Sequence, residues 1–277
     1  IGMLLIDSLF FIFVALLEPY FPPLVSSFWV MAVAAVQLTA YAIWRKQFHW
    51  RTFAEIWAYF LPIGFLVAAA TGLSYAAVIF IDPGTAALLA QSSILFGLLL
   101  GIFWLREKFS VKQSIGAVLA LVGLVIVTFQ PGDFLRIGAL LVVLAALAYA
   151  VHAAVYKQYG GRLGFTEFFA WRLICSAGFL GFFAAIDGQS FIPQQAVPAA
   201  WVLVLVVATV DVTISRALYY VALRKLPISL HSLILTLSPV VTVLWALLLF
   251  GTVPGPNEII GGAIIVAGIG IITFPSR

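Results

Sequence analysis

Ten apolar stretches follow one another along this chain, each long enough to cross a bilayer, with polar residues gathered at the breaks between them. They fall at about 2–17, 24–44, 56–79, 84–105, 112–129, 136–157, 167–186, 200–223, 228–250 and 258–274. The stretches are apolar all round and do not alternate, so the pattern predicts helices and excludes the strands of a membrane barrel. Turn residues punctuate the breaks: Pro19, Pro22 and Pro23, then Asp82-Pro83-Gly84, Pro131-Gly132-Asp133, Asp187-Gly188 and Pro254-Gly255-Pro256. The prediction is an all-α membrane protein of ten transmembrane helices.

Composition removes the competing classes. The 277 residues are 64% hydrophobic and 9% charged, far too little charge to cover a soluble surface. Ten spans of about 20 residues use most of the chain and leave no room for a soluble domain. A net charge of +4 does not point to nucleic acid, because the basic residues form no run or stripe. Cys175 is the single cysteine, which excludes an intramolecular disulfide and any CxxC metal or redox motif. The chain opens on apolar residues with no basic region before them, so no signal peptide is expected. Residues preceding Ile1 would change the depth assigned to Asp7.

The charges are sorted by sign. Alternate connectors carry Arg45, Lys46 and Arg51, then Arg106, Lys108 and Lys112, then Lys157 and Arg162, then Arg224 and Lys225, with Arg277 at the end. The other connectors hold Arg136 as their one basic residue, beside Glu18, Asp82, Asp133, Asp187 and Glu258. The positive-inside rule then predicts a multi-pass protein of the inner (cytoplasmic) membrane with both termini in the cytoplasm.

An internal repeat accompanies this alternation. Shifted by 145 positions, residues 75–129 lie over 220–274 with eleven of 55 identical, among them Tyr75/Tyr220, Ser93/Ser238, Gly116/Gly261, Gly123/Gly268 and the closing Thr128-Phe129/Thr273-Phe274. The expected division is a first five-helix repeat over 1–130 and a second over 131–277. Five is odd, so the second half sits upside down relative to the first. Basic residues have exchanged sides accordingly: the turn at Arg106-Glu107-Lys108 falls on the basic-free stretch around Thr252, and the acidic Asp82 turn on the stretch around Lys225. Inverted halves around a central cavity are the common scaffold of secondary transporters.

Leu105-Arg106-Glu107-Lys108-Phe109-Ser110 followed by Gln113 and Gly116 resembles the Glu-bearing turn and glycine helix of the drug/metabolite transporter superfamily. Leu237-Ser238-Pro239-Val240 and Trp171-Arg172-Leu173 resemble it too, and the chain is most similar to EamA-type ten-helix exporters, including YddG-type amino-acid exporters. It departs from the pattern at Val30, Ile94 and Thr252, where the family has arginine, proline and a second glutamate. The resemblance implies a cavity lined by helices one, three, four, six, eight and nine that opens to each side in turn. It also implies export of small metabolites, amino acids foremost, with nucleotide sugars or sugar phosphates as the competing cargo.

Polar residues inside the spans are the candidate site. Asp211 in the eighth span is followed by Ser215 and Tyr219 at i+4 and i+8, one helical face. They line a cavity that meets an ammonium group or carries a proton, or else Asp211 is the intramembrane partner of Arg216. Arg216 either snorkels to the cytoplasmic end or faces the cavity. Arg172 anchors a helix end or pairs with Glu167. Asp7 pairs with a basic residue or meets solute. Tyr149, His152 and Tyr156 make another stripe, with His152 either a protonation gate or a hydrogen-bonding core residue. Gln91 and Ser92 in the fourth span, and Thr236 and Ser238 in the ninth, offer hydrogen bonds to a polar solute or act as glue between helices. Phe11, Thr71 and Tyr75 complete the lining, and Pro239 bends the ninth helix.

No hydrolytic triad, metal box or phosphate loop is present in the sequence, so neither enzyme activity nor a cofactor is expected. An intramembrane enzyme or a non-transporting scaffold are the readings from other classes. The expected partners are a small-molecule solute and the lipid bilayer. The sequence does not set the oligomeric state, and a monomer is sufficient.

Overall fold

The computed structural model describes residues 2–104, 106, 110–128, 137–159, 164–193, 198–218 and 237–273. Ten apolar helical elements occupy the predicted stretches. The first five are α1 Gly2–Leu17, α2 Pro23–Trp44, α3 Trp50–Ala77, α4 Pro83–Phe103 and α5 Val111–Thr128. Then follow α6 Ile137–Tyr159, α7 Phe165–Ile186, α8 Pro198–Leu218, α9 Ser238–Phe250 and α10 Pro256–Thr273. Six of them (α2, α3, α4, α6, α7 and α8) are long and apolar enough to cross a membrane, and α1, α5, α9 and α10 are shorter apolar helices. The expected repeat boundary near residue 131 falls outside the described residues.

Local chemistry explains the starts and stops. Pro23 and Pro83 stand in the first turns of α2 and α4, where a proline's missing N–H and fixed φ cost nothing. Asp82 caps α4 by accepting from the Thr85 N–H at 2.9 Å. Ser110 and Gln113 form a reciprocal capping box on α5, Ser110 N–H to Gln113 Oε1 at 3.0 Å and Gln113 N–H to Ser110 Oγ at 3.2 Å. α9 stops at Gly251, whose φ of 66° lies in the left-handed region that favours glycine.

One boundary differs from the prediction, and the predicted start of the ninth helix lies outside the described residues. α3 begins at Trp50, and its non-helical residue is Ile56 (φ −131°, ψ 31°), where the sequence pattern had placed its start. The charged segment before that kink is helical too, so hydropathy marked the kink. α9 begins, among the described residues, at Ser238. Pro239 lies in the first turn described, and the stretch before it, against which the expected bend would be judged, lies outside the described residues.

The core is a set of helix pairs. Apolar side chains of α1, α2, α7 and α8 share one cluster, including Leu17, Val30, Ala34, Leu173, Leu180 and Val204. A second cluster joins α1, α3, α4, α5, α6 and α10. Large apolar residues such as Val36, Val118 and Leu248 stay exposed on outward faces, as lipid-facing positions require.

α5 and α10 approach each other closely. A Cβ on Gly116 would stand 2.5 Å from the Gly268 carbonyl oxygen, and one on Gly123 would stand 2.5 Å from that of Gly261. Glycine alone lets two backbones cross this closely. Gly116 meets the later glycine of α10 and Gly123 the earlier one, so the helices run antiparallel. Moving each residue by 145 positions turns one contact into the other.

Candidate functional site

Three helices lose their regular hydrogen bonding near the middle of the molecule, and each does so beside polar side chains. α1 breaks at Ser8–Leu9, where Leu9 N–H bonds Ile6 O at 3.0 Å in a tightened turn. The Ser8 carbonyl accepts from Thr242 Oγ1 of α9 at 2.7 Å. α4 breaks at Gln91, with Gln91 N–H to Leu88 O at 3.3 Å and Ile94 N–H to Gln91 O at 3.0 Å. α8 widens to a π-helical turn over Ala208–Ile214 around Asp211. Backbone groups freed at membrane depth must find internal partners. Here hydroxyls serve, as when Thr213 Oγ1 bonds Ala208 O at 3.1 Å. Broken helices and π-turns of this kind collect at solute and ion sites.

Gln37 of α2 braces the π-turn. Its Nε2 donates to Thr209 Oγ1 at 2.8 Å and its Oε1 accepts from Thr213 Oγ1 at 3.0 Å. One side-chain amide thus spans the turn on both sides of Asp211. The sequence reading missed Gln37. Its signal was a lone amide in an apolar span, the same signal that singled out Gln91.

Asp211 is 7% exposed, and Ser215 beneath it is buried as well. Arg216 and Asp7 are its charged neighbours, and the buried Tyr75 of α3 lies within its field. Asp7 Oδ2 accepts from Ser238 Oγ of α9 at 3.3 Å. Tyr149 of α6 pairs with Arg172 of α7 and lies within reach of Arg216 and Asp7. His152 stands one turn further on, its ring 5.5 Å from that of Tyr149. Side chains from α1, α3, α6, α7, α8 and α9 therefore form one polar group with two aspartates and two arginines.

The other predicted residues scatter. Phe11 packs in the apolar cluster with Ala77, Ile81 and Leu89, while its neighbour Phe10 turns its ring toward Tyr75 at 6.1 Å. Thr71 is buried on α3. Gln91 sits at the α4 break, and the buried Ser92 hydroxyl beside it has no partner among the described residues. Tyr219 and Thr236 lie outside the described residues. The i, i+4, i+8 stripe from Asp211 assumed a regular α-helix. The π-turn shifts that register, with Ser215 N–H bonding Val210 O five residues back.

Arg172 requires a correction. The sequence reading anchored it at a helix end or paired it with Glu167, but it is buried, with Cζ 4.3 Å over the Phe169 ring. Glu167 is taken elsewhere. Its Oε1 receives the His49 N–H at 3.1 Å and Thr52 Oγ1 at 2.7 Å, and lies 3.3 Å from His49 Nδ1. This clasp ties the α2–α3 connector to α7.

The two ends of the bundle differ. At the end carrying Arg45 and Lys46, Phe48, Trp50, Phe53 and Phe60 pack around Trp171, whose ring centroid is 4.8 Å from Phe48 and 4.7 Å from Phe53. At the opposite end an open depression of about 640 Å³ lies between Ala15 of α1 and Pro19 beyond it, Val78–Pro83 leading into α4, and Phe250 and Thr252 at the end of α9. None of the predicted site residues lines it.

Comparison with known proteins agrees with this architecture. The model of the EamA-like transporter family matches the chain twice, over residues 1–129 and 136–274. The uncharacterized transporter YdfC of Bacillus subtilis (strain 168) is 23% identical over 192 residues, 68% of this chain and 62% of that protein. The chain thus matches less than two thirds of the length of that relative. A crystal structure of another protein superposes with a TM-score of 0.69 at 18% identity, covering 98% of this chain and 94% of that one, a likeness of fold.

Proposed function

Because this chain belongs to the EamA-like transporter family, we propose that it exports small amphipathic metabolites, amino acids foremost, across the cytoplasmic membrane by alternating access. It is a multi-pass membrane transporter and not an enzyme. The observation that carries the cargo assignment is the polar group in which Arg216 and Asp7 neighbour both Asp211 and Tyr149 and Arg172 pairs with Tyr149, Asp211 and Arg172 being buried. Two charges of each sign, in a medium where an unmatched ion is costly, suit a solute that is itself neutral overall and carries both an ammonium and a carboxylate. Asp211 and Asp7 take the ammonium. The breaks in α1 and α4 and the π-turn in α8 supply the polar backbone atoms and the places to bend.

The two-way division of the sequence supports the mechanism. Each half matches the family model separately. The Gly116–Gly268 and Gly123–Gly261 contacts are the pair that a two-fold axis in the membrane plane would produce. On this reading residues 1–130 and 131–277 are inverted repeats, and exchange of their conformations moves access from one face to the other. The basic connectors lie in the cytoplasm, with both termini. The aromatic cluster and the Glu167 clasp close that side, and the depression at the Asp82 end opens outward.

The test is counterflow in proteoliposomes. Vesicles preloaded with an unlabelled amino acid should accumulate the labelled one only when the protein is present, and the Asp211→Asn protein should lose that exchange. Exchange of nucleotide sugars or sugar phosphates, with amino acids inert, would overturn the cargo assignment.

A further inference from the structure

The carboxylates account for half of the polar group. Arg172 on α7 and His152 on α6 are 7% and 6% exposed, and their hydrogen bonding is unfinished. Phe169 covers one face of the guanidinium, which leaves its edge for polar contacts. Tyr149 meets part of that edge, but the buried Nε has no partner among the described residues. Neither ring nitrogen of His152 has one. Buried polar atoms are expensive to leave unmatched, most of all at membrane depth. Three of them on two adjacent side chains, beside a tyrosine hydroxyl, describe a site prepared for something else. The nearby carboxylate that would have completed a structural ion pair, Glu167, is held by His49 and Thr52.

We propose that Arg172, Tyr149 and His152 form a subsite for the carboxylate of the solute, a role that rests on the amino-acid reading and completes it. A guanidinium edge presents parallel N–H groups that match a carboxylate, and the phenol and imidazole add donors from a second helix. Arg216 lies within electrostatic reach of Tyr149 and His152 and deepens the positive potential there. Asp7 and Asp211 are the acidic neighbours in this group, so its acid-binding side chains come from α6 and α7 and its amine-binding ones from α1 and α8. A monoanionic group fits this balance. A phosphate dianion would leave excess negative charge beside Asp7 and the buried Asp211.

Thermal unfolding of the purified full chain in detergent, with three probes, decides the matter. L-phenylalanine and phenylacetate should raise Tm by on the order of 5 °C at a hundredfold excess over Kd, and L-phenylalaninamide should not. Arg172→Gln should abolish the phenylacetate shift, while Arg172→Lys, which keeps the charge and loses the fork, should retain part of it. Equal stabilisation by acid and amide in the unaltered protein would overturn the proposal without any variant. So would a full phenylacetate shift in Arg172→Gln, or a shift given by phenyl phosphate and not by phenylacetate. If phenylacetate stabilises through Arg172 while L-phenylalanine neither binds nor exchanges, the subsite stands and the amino-acid cargo falls.

Discussion

Single residues in this protein act through partners on their own helix and through others far along the chain. Asp211 is reached by Arg216 from its own helix and by Asp7 from the other end of the chain. Replacing it with asparagine keeps the shape and removes the charge, so folded yield should hold while exchange falls by at least about tenfold, roughly 1.4 kcal/mol of lost solute interaction. A side-by-side measurement of detergent-stable protein and counterflow rate separates the two. Gln37 offers the converse case. In Gln37→Leu both threonines keep their bonds to Leu205 O and Ala208 O, so the loss should be only about 1 kcal/mol, a drop of about 3 °C in Tm. The expected larger effect is on the concentration of solute needed for half-maximal exchange, because the turn carrying Asp211 is no longer held. The sequence exposed Asp211, Tyr149 and His152 because a polar letter in an apolar run is conspicuous. It could not show that Tyr149 meets Arg172, or that Gln37 reaches 172 and 176 residues away, since such pairs exist only once the helices are placed.

At the scale of elements, hydropathy located the helices well and their defects poorly. Each predicted apolar stretch contains a helix, because in lipid the backbone has no other way to satisfy itself. The break at Ser8–Leu9, the break at Gln91 and the π-turn at Asp211 carry no proline or glycine, the letters that usually announce a defect. Conversely Pro62 sits inside α3 and the helix continues past it. Glycines were more legible. The four glycines that the sequence shift pairs as 116/261 and 123/268 are the ones at which α5 and α10 cross, Gly116 on Gly268 and Gly123 on Gly261. Gly123→Ala should cost about 1–3 kcal/mol, because its Cβ would meet the Gly261 oxygen and the Ile265 nitrogen at 2.5 and 2.8 Å. Gly178→Ala on α7, whose added carbon meets nothing within 4 Å, should be neutral or stabilising. Comparative melting of the two variants tests this contrast.

For the whole molecule, the sorting of charge makes the strongest claim. In a Cys175→Ala background, a cysteine placed at Lys46 should react with impermeant maleimide only from the cytoplasmic side. One placed at Ser190 should react only from outside. Labelling of both from one side would end the inverted arrangement. The alanine keeps the Cβ that packs on Gly64, so the background itself should fold.

The doubled glycine crossing bears on how such a machine turns over. Backbones interlocked at two points resist sliding and parting, so under the proposed alternating access α5 and α10 would serve as the fulcrum and the remaining helices as levers. Welding those two helices together with a covalent link should leave solute exchange running, whereas the same weld between Gln37 and the turn it braces should stall it.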